Sequence, residues 1–194
     1  IKPMVGKLTI GAGDFTNQLM DGEFLTSNNE DIKVESEISG QTQKISISTS
    51  GNVYLPSNNM NNGFPWNLLL NANMPFSINI EQIIGIQNLS LTDLDIQNFD
   101  SKLVIGTMKV TLPESDEFSA DLECIIGEMV IIVPEGTPLT IHLDSGMTGV
   151  SLGDGFVREG DVIYSKNSKI NQGYVLNINL PLGSLQVDHP YSIY

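Results

Sequence analysis

Apolar and polar side chains alternate one by one along most of this chain. The pattern recurs in KISIS (Lys44 to Ser48), FSINI (Phe76 to Ile80), MKVTL (Met108 to Leu112), LTIHL (Leu139 to Leu143) and VLNINL (Val175 to Leu180). Successive side chains of a strand point to opposite faces, so a period of two predicts strands with one buried face. Gly, Pro, Asn, Asp and Ser punctuate the segments, and no stretch carries the 3.6-residue period of a helix.

The segments also repeat. FSINIEQIIG (Phe76 to Gly85) and FSADLECIIG (Phe118 to Gly127) share Phe, Ser, Glu, Ile, Ile and Gly in register, and YVLNINLPLG (Tyr174 to Gly183) keeps an aromatic at the same distance. Gly85, Gly106 and Gly127 are 21 residues apart, and Gly146 and Gly183 follow at gaps of 19 and 37. After the glycine come TMKVTLP, EMVIIVP and SLQVDHP, each closed by proline. A mid-unit glycine permits a bend or a positive φ, and proline ends the ladder because it has no N–H to donate. One face is expected to carry Phe76, Ile78, Ile80 and Ile84, matched by Phe118, Ala120, Leu122 and Ile126 and by Tyr174, Leu176, Ile178 and Leu182. Past the glycine it carries Met108, Val110 and Leu112, or Met129, Ile131 and Val133. Each unit is an apolar ribbon that cannot bury itself alone, and stacking buries a continuous core. The expected fold is all-β: a single-stranded β-solenoid with a coil of about 21 residues, or a coil-like β-sandwich. An ordinary Greek-key sandwich is the runner-up.

The first third differs. KLTIGAGDF (Lys7 to Phe15) resembles a unit with its glycine at Gly11 or Gly13, and DIKVESEIS and QKISIST, joined through Gly40-Gln41-Thr42, form a predicted hairpin. An Asn-rich loop from Pro56 to Pro65 marks the boundary. Residues 1–62 are expected to form an N-terminal β region with the hairpin, packed on solenoid repeats spanning 63–194. Val130 and Ile132 take the outward phase, where the sister unit has Lys109 and Thr111. They form an expected interaction surface, covered by the N-terminal hairpin or by a partner.

The chain of 194 residues is 40% hydrophobic with a net charge of −14, which is the balance of a globular protein. Nine Lys and Arg exclude a nucleic-acid partner, and an anionic membrane surface would repel the chain. No run of about 18 apolar residues occurs, so no insertion of this segment into a membrane is expected. The lone Cys124 excludes an internal disulfide and a Cys-rich zinc site. The chain begins at Ile1 without Met, so a signal or anchor segment is expected to have been removed, or the chain trimmed.

LTIGAGDF…LMDGEF (Leu8 to Phe24), WNLLLNANMPFSINI (Trp66 to Ile80) and the glycine-centred units that follow resemble, in that order, the bacterial toast-rack family. The last part is similar to the C-terminal domain of cell-wall-active-antibiotic-response proteins. Later units read IGIQ, IGTM, IGEM and LGSL where the family repeats GAGD. The resemblance implies an all-β coil displayed outside the cytoplasmic membrane, in some members within envelope-stress signalling. It carries over no catalytic residue.

Candidate chemistry is sparse. His142, Asp144 and Ser145 invite a hydrolase triad, but no nucleophile elbow accompanies them, and register places His142 beside Glu81 and Glu123 on the polar face. His189 matches core-facing Leu112 and Val133, as a half-buried cap would. Asp154, Glu159 and Asp161 offer oxygen ligands for Ca²⁺ in a Gly-rich loop without EF-hand spacing. Asp93 and Asp95, with Asp100 nearby, would pair as glycosidase acids on a regular strand. Gly11 to Asp14 lacks the glycine spacing of a nucleotide cradle. Cys124 takes the inward phase, and Trp66, Phe64 and Tyr54 offer either a sugar-stacking platform or packing at the junction. The expectation is a non-enzymatic, extracytoplasmic cell-envelope module with no catalytic, cofactor or metal site, acting through a protein partner. The alternatives are a carbohydrate-binding or carbohydrate-active protein, and an adhesin or scaffold assembling end to end.

Overall fold

The glycine-centred segments form long strands that fold in half. The computed structural model describes residues 1–26, 30–51, 64–115, 117–166 and 173–190, and among them there is no helix. The strands are β1 (Val5–Gly13), β2 (Met20–Phe24), β3 (Glu30–Ser39), β4 (Thr42–Gly51), β5 (Pro65–Asn71), β6 (Pro75–Ser90), β7 (Asp95–Thr111), β8 (Phe118–Ile132), β9 (Leu139–Leu152), β10 (Phe156–Glu159), β11 (Val162–Ser165) and β12 (Tyr174–Asp188). Ten make one sheet in the order β10-β11-β9-β12-β8-β7-β6-β1-β5-β2, and β3 pairs with β4 alone. Its pairings from β5 to β9 are parallel.

Two observations show the folding. β6 has 16 residues, about 50 Å if straight, yet the link from Ser90 to Asp95, where β7 begins alongside the start of β6, reaches about 18 Å at most. In addition, Ser101, beside Ile80 in register, donates a 2.7 Å hydrogen bond to Oε1 of Gln87, seven residues beyond Ile80. Each strand therefore runs along a first layer, turns at its glycine and returns along a second, as the coil-like β-sandwich reading expects.

The corner is a ladder of glycines. Gly6, Gly85, Gly106, Gly127 and Gly183 stack in register, with φ between 134° and 154°. A Cβ at Gly85, Gly106, Gly127 or Gly183 would overlap the carbonyl oxygen of the glycine stacked next to it. Glycine is needed both for the dihedral and for the space. Gly6, rather than Gly11 or Gly13, takes the corner of the first coil. Gly146 is displaced too: Thr148 is the residue beside Gly183.

Spatial order departs from chain order at the end. β12 lies between β8 and β9, so the last unit fills a place that the preceding one leaves open. The inner faces make one core, in which Phe118, Ala120, Leu122 and Cys124 are buried before Gly127, and Met129, Ile131 and Val133 after it. Burying each larger side chain contributes about 1.5–3 kcal/mol.

The sheet runs across the division expected at residue 62, because β1 lies between β5 and β6 and β2 flanks β5. The hairpin β3–β4 extends the first layer. Glu81 N–H donates to Ile1 O at 2.9 Å, Lys2 N–H donates to Ile47 O at 2.7 Å, and Lys2 bridges to Ser48.

Candidate interaction surfaces

The outer side of the first layer carries two polar rows. Asn79, Asp100, Asp121, Asn177 and His142 form one, and Glu81, Lys102, Glu123, Asn179 and Asp144 the other. Together with Asp161 they line a shallow trough of about 630 Å³. Lys2 and Lys102 reach Glu81 and Glu123 at 2.8 Å each, and Asn177 donates to Asp121 at 2.7 Å. The Lys2 ammonium, through its hydrogen bond, holds the Glu81 carboxyl below the usual carboxylate range. Both pairs are open to water and contribute little to stability.

His142 thus stands beside Asn177, two residues from the expected register with Glu81 and Glu123, because Thr148 rather than Gly146 occupies the corner. Ser145 pairs with buried Leu180 and so takes the inward phase, away from the outward His142 and Asp144. The three side chains do not converge as a triad. Asp93 sits in a turn and Asp95 starts β7, so the regular strand that would pair them is absent. Asp154 lies in the turn before β10, Glu159 is the last residue of β10 and Asp161 lies in the turn after it, so these oxygens are divided between the two ends of the strand. Among the described residues no group of three His, Cys, Asp or Glu is placed to hold a metal ion.

The corner presents an apolar row. Ile84, Ile105, Ile126, Leu182 and Met147 stand side by side on adjacent strands. Ile105 is 42% exposed, Ile126 43%, Leu182 41% and Met147 78%. This corrects the expectation that Ile84, Ile126 and Leu182 face inward. The inside of so tight a bend has no room for them, and the chain rounds the corner with two successive side chains outside. The signal lay in the sequence: positions 84, 105 and 126, like 79, 100, 121 and 81, 102, 123, are one coil apart.

Val130 and Ile132 are half-buried, Val130 between Lys109 and Gln186 and Ile132 between Thr111 and Asp188. They lie on the second layer, whereas the hairpin extends the first. Exchange for the sister unit's residues, as Val130→Lys with Ile132→Thr, is expected to change stability by about 0.5 kcal/mol or less. Urea unfolding measures this, and a loss above about 2 kcal/mol would mean that they are packed within the fold.

His189 is half-buried, with Nδ1 2.9 Å from Val133 O and its ring stacked on Phe156 at 4.7 Å. Trp66 is buried and meets Phe24 edge-on at 5.0 Å, which removes it from any sugar-stacking platform. Phe64 is half-buried, and Tyr54 lies outside the described residues. Cys124 is buried, and that burial pushes its thiol up to about 11. A raised folded value means that the native state holds the proton longer, so this contribution to stability is lost as pH rises from about 9 through 11. Compared with Cys124→Ala, the wild type is expected to lose extra stability across that window, and its thiol to react with iodoacetamide at pH 8 only on unfolding. Rapid native-state alkylation would contradict this.

The family model described as the N-terminal domain of toast_rack matches residues 1–132, which takes in β1 to β8. No curated protein matches the chain. A crystal structure of a "putative cell adhesion protein" from Clostridium sporogenes ATCC 15579 is similar in fold, with a TM-score of 0.80, 21% sequence identity, and coverage of 97% of this chain and 90% of that one. Its likeness supports the fold. With more than half of its length matched by the family's own model, the chain belongs to the toast-rack family.

Proposed function

We propose that this chain is a non-enzymatic module displayed in the cell envelope, which acts by contact with another protein in the response to cell-wall or envelope stress. The apolar row at the corner carries this reading. Singly exposed apolar side chains are ordinary, whereas contiguous ones mark contact surfaces. Ile105, Ile126, Leu182 and Met147 are contiguous and outward-facing. Val130 and Ile132, outward on the second layer, offer a second, separate apolar pair, beyond the row of Thr107, Glu128 and Ser184. Membership in the toast-rack family and the fold shared with a "putative cell adhesion protein" support display outside the cytoplasm.

Photo-crosslinking amino acids placed at Ile126 and Met147 in intact cells test it. Discrete crosslinks to one envelope protein, stronger under a wall-active antibiotic and absent from position 100, are the expected result. Equal, diffuse labelling from all three positions would overturn the proposal.

A second reading, carbohydrate binding or cleavage, draws on the trough, where Asp100 and Asp121 are strand neighbours. Among the described residues no Trp, Tyr or Phe lines that trough, so they offer a sugar ring no aromatic face on which to stack. Saturable binding of a glycan, abolished by Asp121→Asn, would establish this reading instead.

A further inference from the structure

The methionines differ widely in their access to solvent. Met108 and Met129 are buried in the core, Met4 and Met20 are half-buried, and Met60 lies outside the described residues. Met74 is 39% exposed and Met147 78%. The local fold explains the last value. Met147 stands on the outer side of the corner, in register with Leu182 of β12. β11 pairs with β9 only from Thr140 to His142, so no described strand stands on the other side of Met147. Gly146 before it and Gly149 after it bring no side chain, and the Thr148 hydroxyl turns away to donate to Leu180 O. The Met147 thioether is thus the bare end of the apolar row that continues through Leu182, Ile126 and Ile105.

We propose that Met147 is an oxidation site, at which hydrogen peroxide gives the corner row a polar end and so releases the protein partner bound there. The sulfur attacks one peroxide oxygen. An S–O bond forms as the O–O bond breaks, sulfur gives up two electrons, and the second oxygen leaves as water with both protons. The product is the sulfoxide, a polar and chiral side chain in place of a flexible apolar one. Exposure governs how readily a thioether reacts, which favours Met147 over the two core methionines. Position decides the consequence. Met74 lies in the link between β5 and β6, off the corner row. At Met147 the new oxygen stands where a bound partner must exclude water, and burying it without a hydrogen bond is costly. Because the side chain is exposed, the change acts on contact and leaves the core intact. The release step rests on the contact proposed at the corner, whereas the preference for Met147 does not.

Treating the native full chain with hydrogen peroxide, and mapping its methionines at intervals by peptide mass spectrometry, tests the site. Met147 is expected to oxidise roughly tenfold faster than Met108 and Met129, and faster than Met74, with the urea midpoint unchanged when Met147 alone is oxidised. Retention on a phenyl column reads the surface. Peroxide is expected to shorten it in the wild type and in Met74→Leu, but not in Met147→Leu compared with its own untreated retention. In cells, crosslinks from Ile126 are expected to fall by about threefold or more after a peroxide pulse, and Met147→Leu to keep its own untreated level. Met74 oxidising as fast as Met147, a urea midpoint that falls with Met147 oxidation, or an equal loss of retention in Met147→Leu would overturn the proposal. Crosslinks that survive full oxidation of Met147 would overturn the release step. Discrete crosslinks missing even from untreated cells would overturn the corner contact and the release step with it, while the peptide map and the column decide the oxidation site by themselves.

Discussion

Gly106→Ala lowers stability by about 4 kcal/mol or more, or prevents folding, while Gly136→Ala costs about 1–2 kcal/mol. Both glycines have positive φ, 147° at Gly106 and 75° at Gly136. Their surroundings differ. A Cβ at Gly136 meets nothing within 4 Å, whereas one at Gly106 runs into the backbone of Gly85, with C at 2.9 Å, N at 3.2 Å, and O closer still. Backbone cannot rotate aside as a side chain does. Relief requires moving β6 or β7, and each is hydrogen-bonded to a neighbour on either side of the corner glycine. Strain in the dihedral and separation of two strands therefore add at Gly106, and only strain acts at Gly136. Urea unfolding followed through the single Trp66 compares them, and equal losses would refute the steric account.

Tyr174→Ala is expected to cost about 3–5 kcal/mol, and Tyr174→Phe about 1–3 kcal/mol. The ring is fully buried and meets Phe118 edge-on at 5.7 Å. Its hydroxyl donates to Pro113 O at 2.5 Å and accepts from Ser115 N–H at 2.9 Å. Those partners belong to the turn between β7 and β8, so one side chain ties the start of β12 to the link between two earlier coils. Phe keeps the packing and strands a buried carbonyl. Ala opens a cavity as well. Calorimetric or urea unfolding of both variants measures the split, and a Phe variant as stable as wild type would show that water replaces the hydroxyl.

The coil was legible because its constraint is local: Gly85, Gly106 and Gly127 each need the same backbone shape, and a 21-residue count brings them together. The same count contained the polar trough and the corner row. Where the count failed, the cause was not local. Gly183 lies beside Gly127 only because β12 enters between β8 and β9, and nothing in the spelling of a strand says which neighbour it will choose. His142 was misplaced for another reason: Thr148, two residues beyond Gly146, takes the corner of β9. Gly6 was missed because β1 has little chain before its corner to show a unit. Ile126 was misassigned because alternation was carried one residue too far, through a bend that breaks the period.

The late entry of β12 sets an order of events for synthesis. Coils emerging from the ribbon of β6, β7 and β8 can stack one on the next as they appear, since each finds its neighbour already made. β9, β10 and β11 come next, and their place in the sheet exists only through β12. Until Tyr174 and the residues after it are available, the nascent chain holds a stacked front half and a detached back piece. Completion then occurs in one late step, with long sequence separation and a correspondingly slow closure. A coil that looks built for growth one turn at a time is finished from its far end inward.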